Sequence, residues 1–229
     1  LSKVSSTVEK VFINTDKEDV EKYAINKGME GGIPDHNFSP KAGDVKYRDL
    51  NGDYKIDDKD VAAIGYPKYP LLTGNMSLGF SWNGLDFSMV WSGAFKTSRL
   101  VSSFYRVPFD TTNNRALLSY MIKDAWTPEK GDSSTAPAIS FGASKANNYK
   151  DSDLWLRDAS YVRLKNIELG YSFPKQIVKK MHLGTLRLSV SGYNLLTFDD
   201  MGFCDPESNP DGQAYPLIKV VNFGLKVGF

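Results

Sequence analysis

The chain has 229 residues and a formal net charge of +1, so it lacks the clustered cationic surface that nucleic-acid binding requires. Its single cysteine, Cys204, cannot form an internal disulfide and has no Cys or His pair nearby to complete a zinc site. No run of 18 or more apolar residues occurs, which excludes a membrane-spanning helix, and the start Leu1-Ser-Lys-Val lacks the layout of a secretory signal. The expectation is therefore a processed chain or a fragment, with a fragment preferred.

Residues 1–14 predict an early strand, and a short helix is expected in the following loop around residues 17–27. The sharpest motif comes next, at Asp49-Leu-Asn51-Gly-Asp53-Tyr-Lys55-Ile-Asp57-Asp58-Lys-Asp60. Counted from Asp49, oxygen side chains fall at positions 1, 3, 5, 9 and 12, and Ile56 takes position 8, the layout of an EF-hand or dockerin-type calcium loop. A hard cation takes six to eight oxygens, so Asp49, Asn51, Asp53, Asp57 and Asp60, with the carbonyl of Lys55, form a candidate structural Ca²⁺ site. Two residues depart from the pattern. Tyr54 stands where the loop glycine belongs, which is costly unless its φ stays negative, and Asp60 replaces the long bidentate Glu. The alternative is an acidic turn whose side chains bond to their own backbone.

Period-two alternation, which sends every second side chain to one face, dominates the rest of the chain. Met76, Leu78, Phe80 and Trp82 alternate with small polar residues up to Asn83-Gly84, the dipeptide best suited to a two-residue hairpin turn. Leu85, Phe87, Met89, Trp91 and Phe95 then carry the apolar face back, giving a hairpin over 71–95. After the long polar segment 96–154, the stretch from Tyr161 to Phe173 changes apolar phase near Asn166, which predicts a β-bulge there. A short Lys-rich connection follows, with one helical turn expected over 176–180. Leu186, Leu188 and Val190 begin another strand that runs towards Phe198. A long loop over 199–216 leads to Val221, Phe223, Leu225, Val227 and the terminal Phe229.

Strands of roughly 10 residues with one apolar and one polar face suit a tilted membrane-spanning strand between lipid and a wet lumen. Trp82, Tyr171, Phe173 and Phe229 would form an interfacial girdle, and Trp155 is placed at the same interface. Soluble β-sandwiches also alternate, but their strands are commonly nearer five or six residues. Short and long connections alternate along the chain, as the two sides of an outer-membrane barrel require.

Several stretches, in order, resemble the SusC/RagA group of TonB-dependent transporters. They are Gly43 to Asp60 with Ile64-Gly65-Tyr66-Pro67, Asp124-Ala-Trp-Thr-Pro-Glu129, Leu156 to Tyr171 with Pro174, and Val190 to Phe198. The resemblance implies a plugged barrel of about 22 strands, energised through TonB and capped by a SusD-like surface lipoprotein. Neither plug nor TonB-contacting segment is recognisable in the sequence. The expected fold is thus all-β: the C-terminal strands of a large antiparallel transmembrane β-barrel with long extracellular loops. Residues 1–229 would be its C-terminal portion, with the metal-type loop at 49–60, the hairpin at 71–95 and the last three strands at 155–229. The expected location is the outer membrane, crossed several times, and the expected substrate an oligosaccharide or a peptide. The partners would be the lipoprotein, TonB through the part not present, and outer-membrane lipid, with no nucleic acid.

No enzyme is expected. His36 and His182 are read as surface residues without partners at metal spacing, and the pairs Asp199-Asp200 and Asp205-Pro-Glu207 carry no sign of opposed carboxylate geometry. No G-x-S-x-G elbow or phosphate-binding glycine loop is present. Phe104, Tyr105 and Trp126 could stack on sugar rings, although loop aromatics more often pack their own loop. The rival reading is a secreted, calcium-dependent carbohydrate-binding module; a third is an outer-membrane enzyme with its site in the loops.

Overall fold

The computed structural model describes residues 3–5, 34–38, 40–110, 117–202, 204–208, 215 and 217–229. The expected helix around 17–27 lies outside them, as does most of the early strand. The part that is described, β1 (Lys3–Ser5), pairs antiparallel with β2 (Val61–Ala63). The chain divides into two compact units: one of residues 1–68, 99–157 and 210–213, the other of residues 69–98, 158–209 and 214–229.

The second unit is built on a five-stranded antiparallel sheet. Its hairpin comprises β3 (Leu72–Trp82) and β4 (Leu85–Phe95), eleven residues each and paired from Leu72↔Phe95 to Trp82↔Leu85. Asn83 and Gly84 join them at φ 50° and 86°, the left-handed pair that a tight hairpin turn requires. Two short strands follow in the chain, β5 (Ser98–Leu100) and β6 (Leu156–Asp158), which pair with each other in a separate ladder. The large sheet continues with β7 (Tyr161–Ser172), β8 (Thr185–Asp199) and β9 (Val220–Gly228), each hydrogen-bonded to the one before, and β7 to β4. The β4–β7 register moves from Val90↔Asn166 to Trp91↔Leu164, which makes Lys165 the extra residue of a bulge. The β7–β8 register shifts at the same place. The change of apolar phase read in the sequence has that cause.

One expectation is overturned. The sheet order is β3-β4-β7-β8-β9, with β3 and β9 as its two edges, and no sheet closes on itself, so the structure does not match a closed transmembrane barrel. Closure needs hydrogen bonding between first and last strands, and neither edge is paired to the other. The fold is also not purely β. Among the described residues there are four short α-helices, α1 (Ser103–Arg106), α2 (Ser119–Asp124), α3 (Gly142–Asn148) and α4 (Lys175–Lys180). The last of these fills the short connection between β7 and β8, with Val178 buried beneath it.

The first unit packs around Val45, Tyr47 and Ile56, with Leu154 against them. Polar groups are enclosed there too. Asn148 is fully buried; its Oδ1 accepts the Val45 N–H at 2.9 Å, and its Nδ2 donates to Asp44 at 2.8 Å and to Ser140 at 3.1 Å. A buried amide with these partners ties segments about a hundred residues apart, because any one left unpaired would lose its hydration without replacement.

Two aromatic assignments also change. Trp155 is buried rather than interfacial: its Nε1 donates to the Asn148 carbonyl at 3.0 Å and its ring lies 5.5 Å from that of Tyr149. Trp126 is buried as well, against Gly43, where an added Cβ would overlap the indole at 2.5 Å. It has no face to offer a sugar. Phe104 and Tyr105 meet each other edge to face at 5.0 Å.

Candidate functional site

The calcium-type loop is held by its own side chains. Asp49 Oδ1 accepts the N–H of Asn51 at 3.1 Å and of Gly52 at 2.7 Å, and Asp49 Oδ2 that of Tyr54 at 2.6 Å. Asn51 Oδ1 takes the Asp53 N–H at 2.8 Å, and Asp53 Oδ1 the Lys55 N–H at 3.0 Å. This is a run of Asx turns, in which each short polar side chain captures a main-chain donor about two residues on. The tight points are Gly52 and Tyr54, at φ 80° and 61°. Tyr54 thus does not keep the negative φ that would have spared it strain; a side chain in the left-handed region costs roughly 1–2 kcal/mol.

Asp60 closes the loop. It is buried, and its Oδ1 accepts the Leu50 N–H at 2.8 Å while Oδ2 accepts that of Asp57 at 2.9 Å. Ile56 points into the core of the first unit, and its N–H donates to the Asp35 carbonyl at 2.9 Å. Desolvation works against the Asp49 charge, but the N–H groups of Gly52, Tyr54 and Asn51, with a bond to Asp60, outweigh it and hold the carboxyl below its usual range.

Among the described residues no group of three or more His, Cys, Asp or Glu side chains is arranged to hold a metal. The donor set of this loop is mixed, since the Asn51 amide oxygen and the Lys55 carbonyl stand beside the carboxylates of Asp49, Asp53, Asp57 and Asp60. Asp49 accepts three N–H groups and Asp60 two, out of roughly four lone-pair sites on a carboxylate, so the loop's own main chain takes up much of their acceptor capacity.

His36 is not a surface residue. It is buried beside Tyr47, its Nε2 accepts the Tyr47 N–H at 2.9 Å, and Nδ1 lies 2.7 Å from the Pro34 carbonyl. The neutral tautomer with the proton on Nδ1 satisfies both contacts. Burial drives its pKa below the ordinary histidine value, against the pull of the Pro34 carbonyl, and Lys150 and Lys46 add to the lowering. His182 stays exposed at φ 58° in the connection after α4. Asp205 and Glu207 do not face each other across a cleft but bind cations of β7: Arg163 Nη2 lies 2.6 Å from Asp205, and Lys165 Nζ 2.7 Å from Glu207.

The large sheet has two chemically distinct faces. One carries Met76, Leu78, Phe80, Phe87, Met89, Trp91, Ile167, Leu169, Leu188, Val190, Phe223 and Leu225, cross-strand neighbours through the observed register. Much of it is bare: Phe80 is 55% exposed, Leu225 66% and Phe223 85%. The opposite face carries Asn75, Ser77, Asp86, Ser88, Arg163, Glu168, Arg187, Ser189, Ser191 and Asn222. No helix of the described residues is long and apolar enough to cross a membrane, which leaves crossing by strands unaddressed.

No family model matches the chain. Among curated proteins it is similar to TonB-dependent receptor P3 of Formosa agariphila, 27% identical over 202 residues that cover 80% of this chain and 19% of that protein. TonB-dependent receptor P39 of the same organism is 27% identical over 231 residues, covering 90% of this chain and 21% of that one. TonB-dependent receptor SusC of Bacteroides thetaiotaomicron is 26% identical over 184 residues, or 79% and 17%. In fold the chain resembles the RagAB peptide importer in its open-open state, with a TM-score of 0.61 and 21% identity over 82% of this chain and 21% of that one. The chain spans about a fifth of the length of the relatives it matches. These matches make the chain similar in sequence to one part of TonB-dependent receptors. The chain is homologous in sequence to TonB-dependent receptors that include SusC, and its likeness to the RagAB structures, at 21–22% identity, is one of fold. Its relatives are named as receptors, in agreement with the expectation that it is not an enzyme.

Proposed function

We propose that residues 1–229 are the C-terminal portion of a SusC/RagA-type importer that takes up an oligosaccharide or a peptide together with a SusD-like surface lipoprotein. TonB would act through a part of the polypeptide outside this chain. The role of the chain is passive: it supplies wall and loops and makes no bonds.

The observation that carries this reading is the two-faced sheet. A contiguous apolar face left bare is unfavourable in water at about 25 cal/mol per Å² and far exceeds the scattered exposed residues of a soluble surface. Against outer-membrane lipid it is in its proper solvent. The strands, from nine to fifteen residues, meet the roughly 9–11 residues needed to cross, and the polar opposite face suits a wet passage. A secreted carbohydrate-binding module would have to cover the same apolar face, so the sheet speaks against it.

The test is to fractionate native cells, solubilise the outer membrane in mild detergent, and identify by mass spectrometry what purifies with this polypeptide. Recovery from the outer membrane within a much longer chain and beside a lipoprotein is expected. Recovery as a soluble chain of its own size, without a partner, sinks the proposal.

The loop at 49–60 we assign a structural Ca²⁺, held by Asp49, Asn51, Asp53, Asp57 and Asp60 and the Lys55 carbonyl. Support comes from the spacing of these oxygens and from the left-handed turns at Gly52 and Tyr54, which wind the loop tightly. Bound cation would fix the shape of an extracellular loop. Titration with CaCl₂ followed by hydrogen exchange of residues 49–60 checks it; no change in exchange at millimolar Ca²⁺ refutes it.

A further inference from the structure

The segment after β8 returns to the polar face of the sheet. Its acidic turn, Asp205-Pro206-Glu207, meets two cations that the β7 bulge sets side by side. Arg163 is wholly enclosed; its Nη2 lies 2.6 Å from Asp205 Oδ2 and its Nη1 2.9 Å from Glu207 Oε2. Lys165, the bulged residue, places Nζ 2.9 Å from Glu207 Oε1 and 2.7 Å from Oε2. The Tyr161 ring lies 5.5 Å from the guanidinium carbon and supports it from its own strand. The turn is pre-shaped for this contact, since Asp205 Oδ1 accepts the Glu207 N–H at 2.9 Å and the Asp205 carbonyl accepts the Ser208 N–H at 3.1 Å. Pro206, between the two carboxylates, is buried.

We propose that Arg163 and Lys165 with Asp205 and Glu207 form an electrostatic latch, which holds the turn 204–208 closed over the polar face of β7 and opens independently of the sheet. Three features carry it. First, Glu207 is shared by both cations, so losing its charge leaves the turn with the single Arg163–Asp205 pair. Burial opposes its charge, yet bonds from Lys165 and Tyr161, with the charges of Lys165 and Arg163, hold its carboxyl below the usual range. Second, the turn makes no strand pairing, whereas β7 and β8 are locked by continuous ladders. Opening therefore breaks ion pairs and no ladder bonds. Third, among the described residues the ion pairs of the enclosed Arg163 go to the turn's two carboxylates, so a closed and an open state differ sharply; a buried cation without its anions is strongly unfavourable and must rehydrate on opening. The latch stands on the geometry of the described residues, whatever the protein transports.

Cys204, which begins the turn and is the chain's single cysteine, is a native reporter. The native full-length polypeptide, in mild detergent, is exposed to N-ethylmaleimide, and modification of the Cys204 peptide is followed by mass spectrometry alongside hydrogen exchange. Glu207→Gln is expected to raise the modification rate at Cys204, and exchange over 204–208, at least tenfold, with protection of β7 and β8 unchanged. Lys165→Met, at a half-exposed position, gives a smaller rise. The double variant rises no further than Glu207→Gln alone, because both act on one contact. Rates at the turn within twofold of the parent in both single variants would overturn the latch. So would parallel loss of protection in β7 and β8, which would make the ion pairs part of the general fold.

Discussion

The Arg187 guanidinium on β8 reaches over β7 and grips the Asp86 carboxylate on β4 with both terminal nitrogens, Nη2 lying 2.6 Å from Oδ2. The strand between them makes room with Gly170, paired with Asp86 on one side and Ser189 on the other. Nη2 also lies 3.1 Å from Glu168, so one cation serves two carboxylates on the polar face.

That arrangement predicts the outcome of Gly170→Ala. A Cβ there would stand 2.6 Å from Arg187 Cζ and 2.7 Å from Asp86 Oδ2, and the guanidinium would have to move off its fork. All three charged side chains are about a third exposed, so solvent screening keeps the loss small. Denaturant unfolding of Gly170→Ala, Arg187→Met and the double variant checks this. The two effects are expected to be non-additive, because both remove the same pair.

In the loop, Tyr54→Gly removes a left-handed side chain and should slow hydrogen exchange of residues 49–57, by a stabilisation of about 1 kcal/mol. Asp49→Ala should do the reverse, since the N–H groups of Asn51, Gly52 and Tyr54 lose their acceptor together. On the calcium proposal, Asp49→Ala also abolishes any protection that Ca²⁺ confers, whereas Tyr54→Gly preserves it.

Acid should loosen the same loop. The Asp49 carboxyl is depressed in the folded chain, so its contribution is fully present above the unfolded value, about 3.9, and is lost as pH falls through the lower folded value. Exchange of the Gly52 and Tyr54 amides, corrected for intrinsic rates, should therefore accelerate only below about pH 4. Acceleration already at pH 6 would show that another group governs the loop.

His36 supplies a separate, milder pH effect. Its folded pKa is lowered, so below about pH 6.5 the unfolded segment takes up a proton that the folded one resists, and stability falls as pH drops towards the folded value. Protection of the Tyr47 amide, which donates to His36, should decline between pH 7 and 5. In His36→Gln, whose amide oxygen can accept the same N–H, that decline should vanish.

Asn148→Ala should be the most damaging single change in the first unit. It takes the acceptor from the buried Val45 N–H and one donor from the buried Asp44 carboxylate, which keeps the Lys41 N–H, at a cost of about 1–3 kcal/mol. Hydrogen exchange of residues 43–47 reads this locally, and a rise below threefold would show that water replaces the lost partners.

Alternation with a period of two is a property of the chain itself, so the strands of the large sheet were legible as runs of residues. The Asn83-Gly84 turn and the bulge at Lys165 were legible for the same reason: a turn needs particular φ values, and a bulge reverses the phase of the pattern. The oxygen spacing of Asp49 to Asp60 was equally visible. Closure was not. Alternation states which side chains share a face and leaves open which strands end a sheet, and here β3 and β9 are unpaired to each other. The burial of His36, Trp126 and Trp155 was hidden too, because their partners are Pro34 and Tyr47 in one case and Gly43 and Asn148 in the others, brought together by packing. So were the grips of Arg187 on Asp86 and of Arg163 on Asp205, 101 and 42 residues apart. The sequence by itself determined the faces of the strands, since each side chain's direction follows from its neighbours along the chain. Only the tertiary structure decided which charges meet across those faces, since strand register sets those distances.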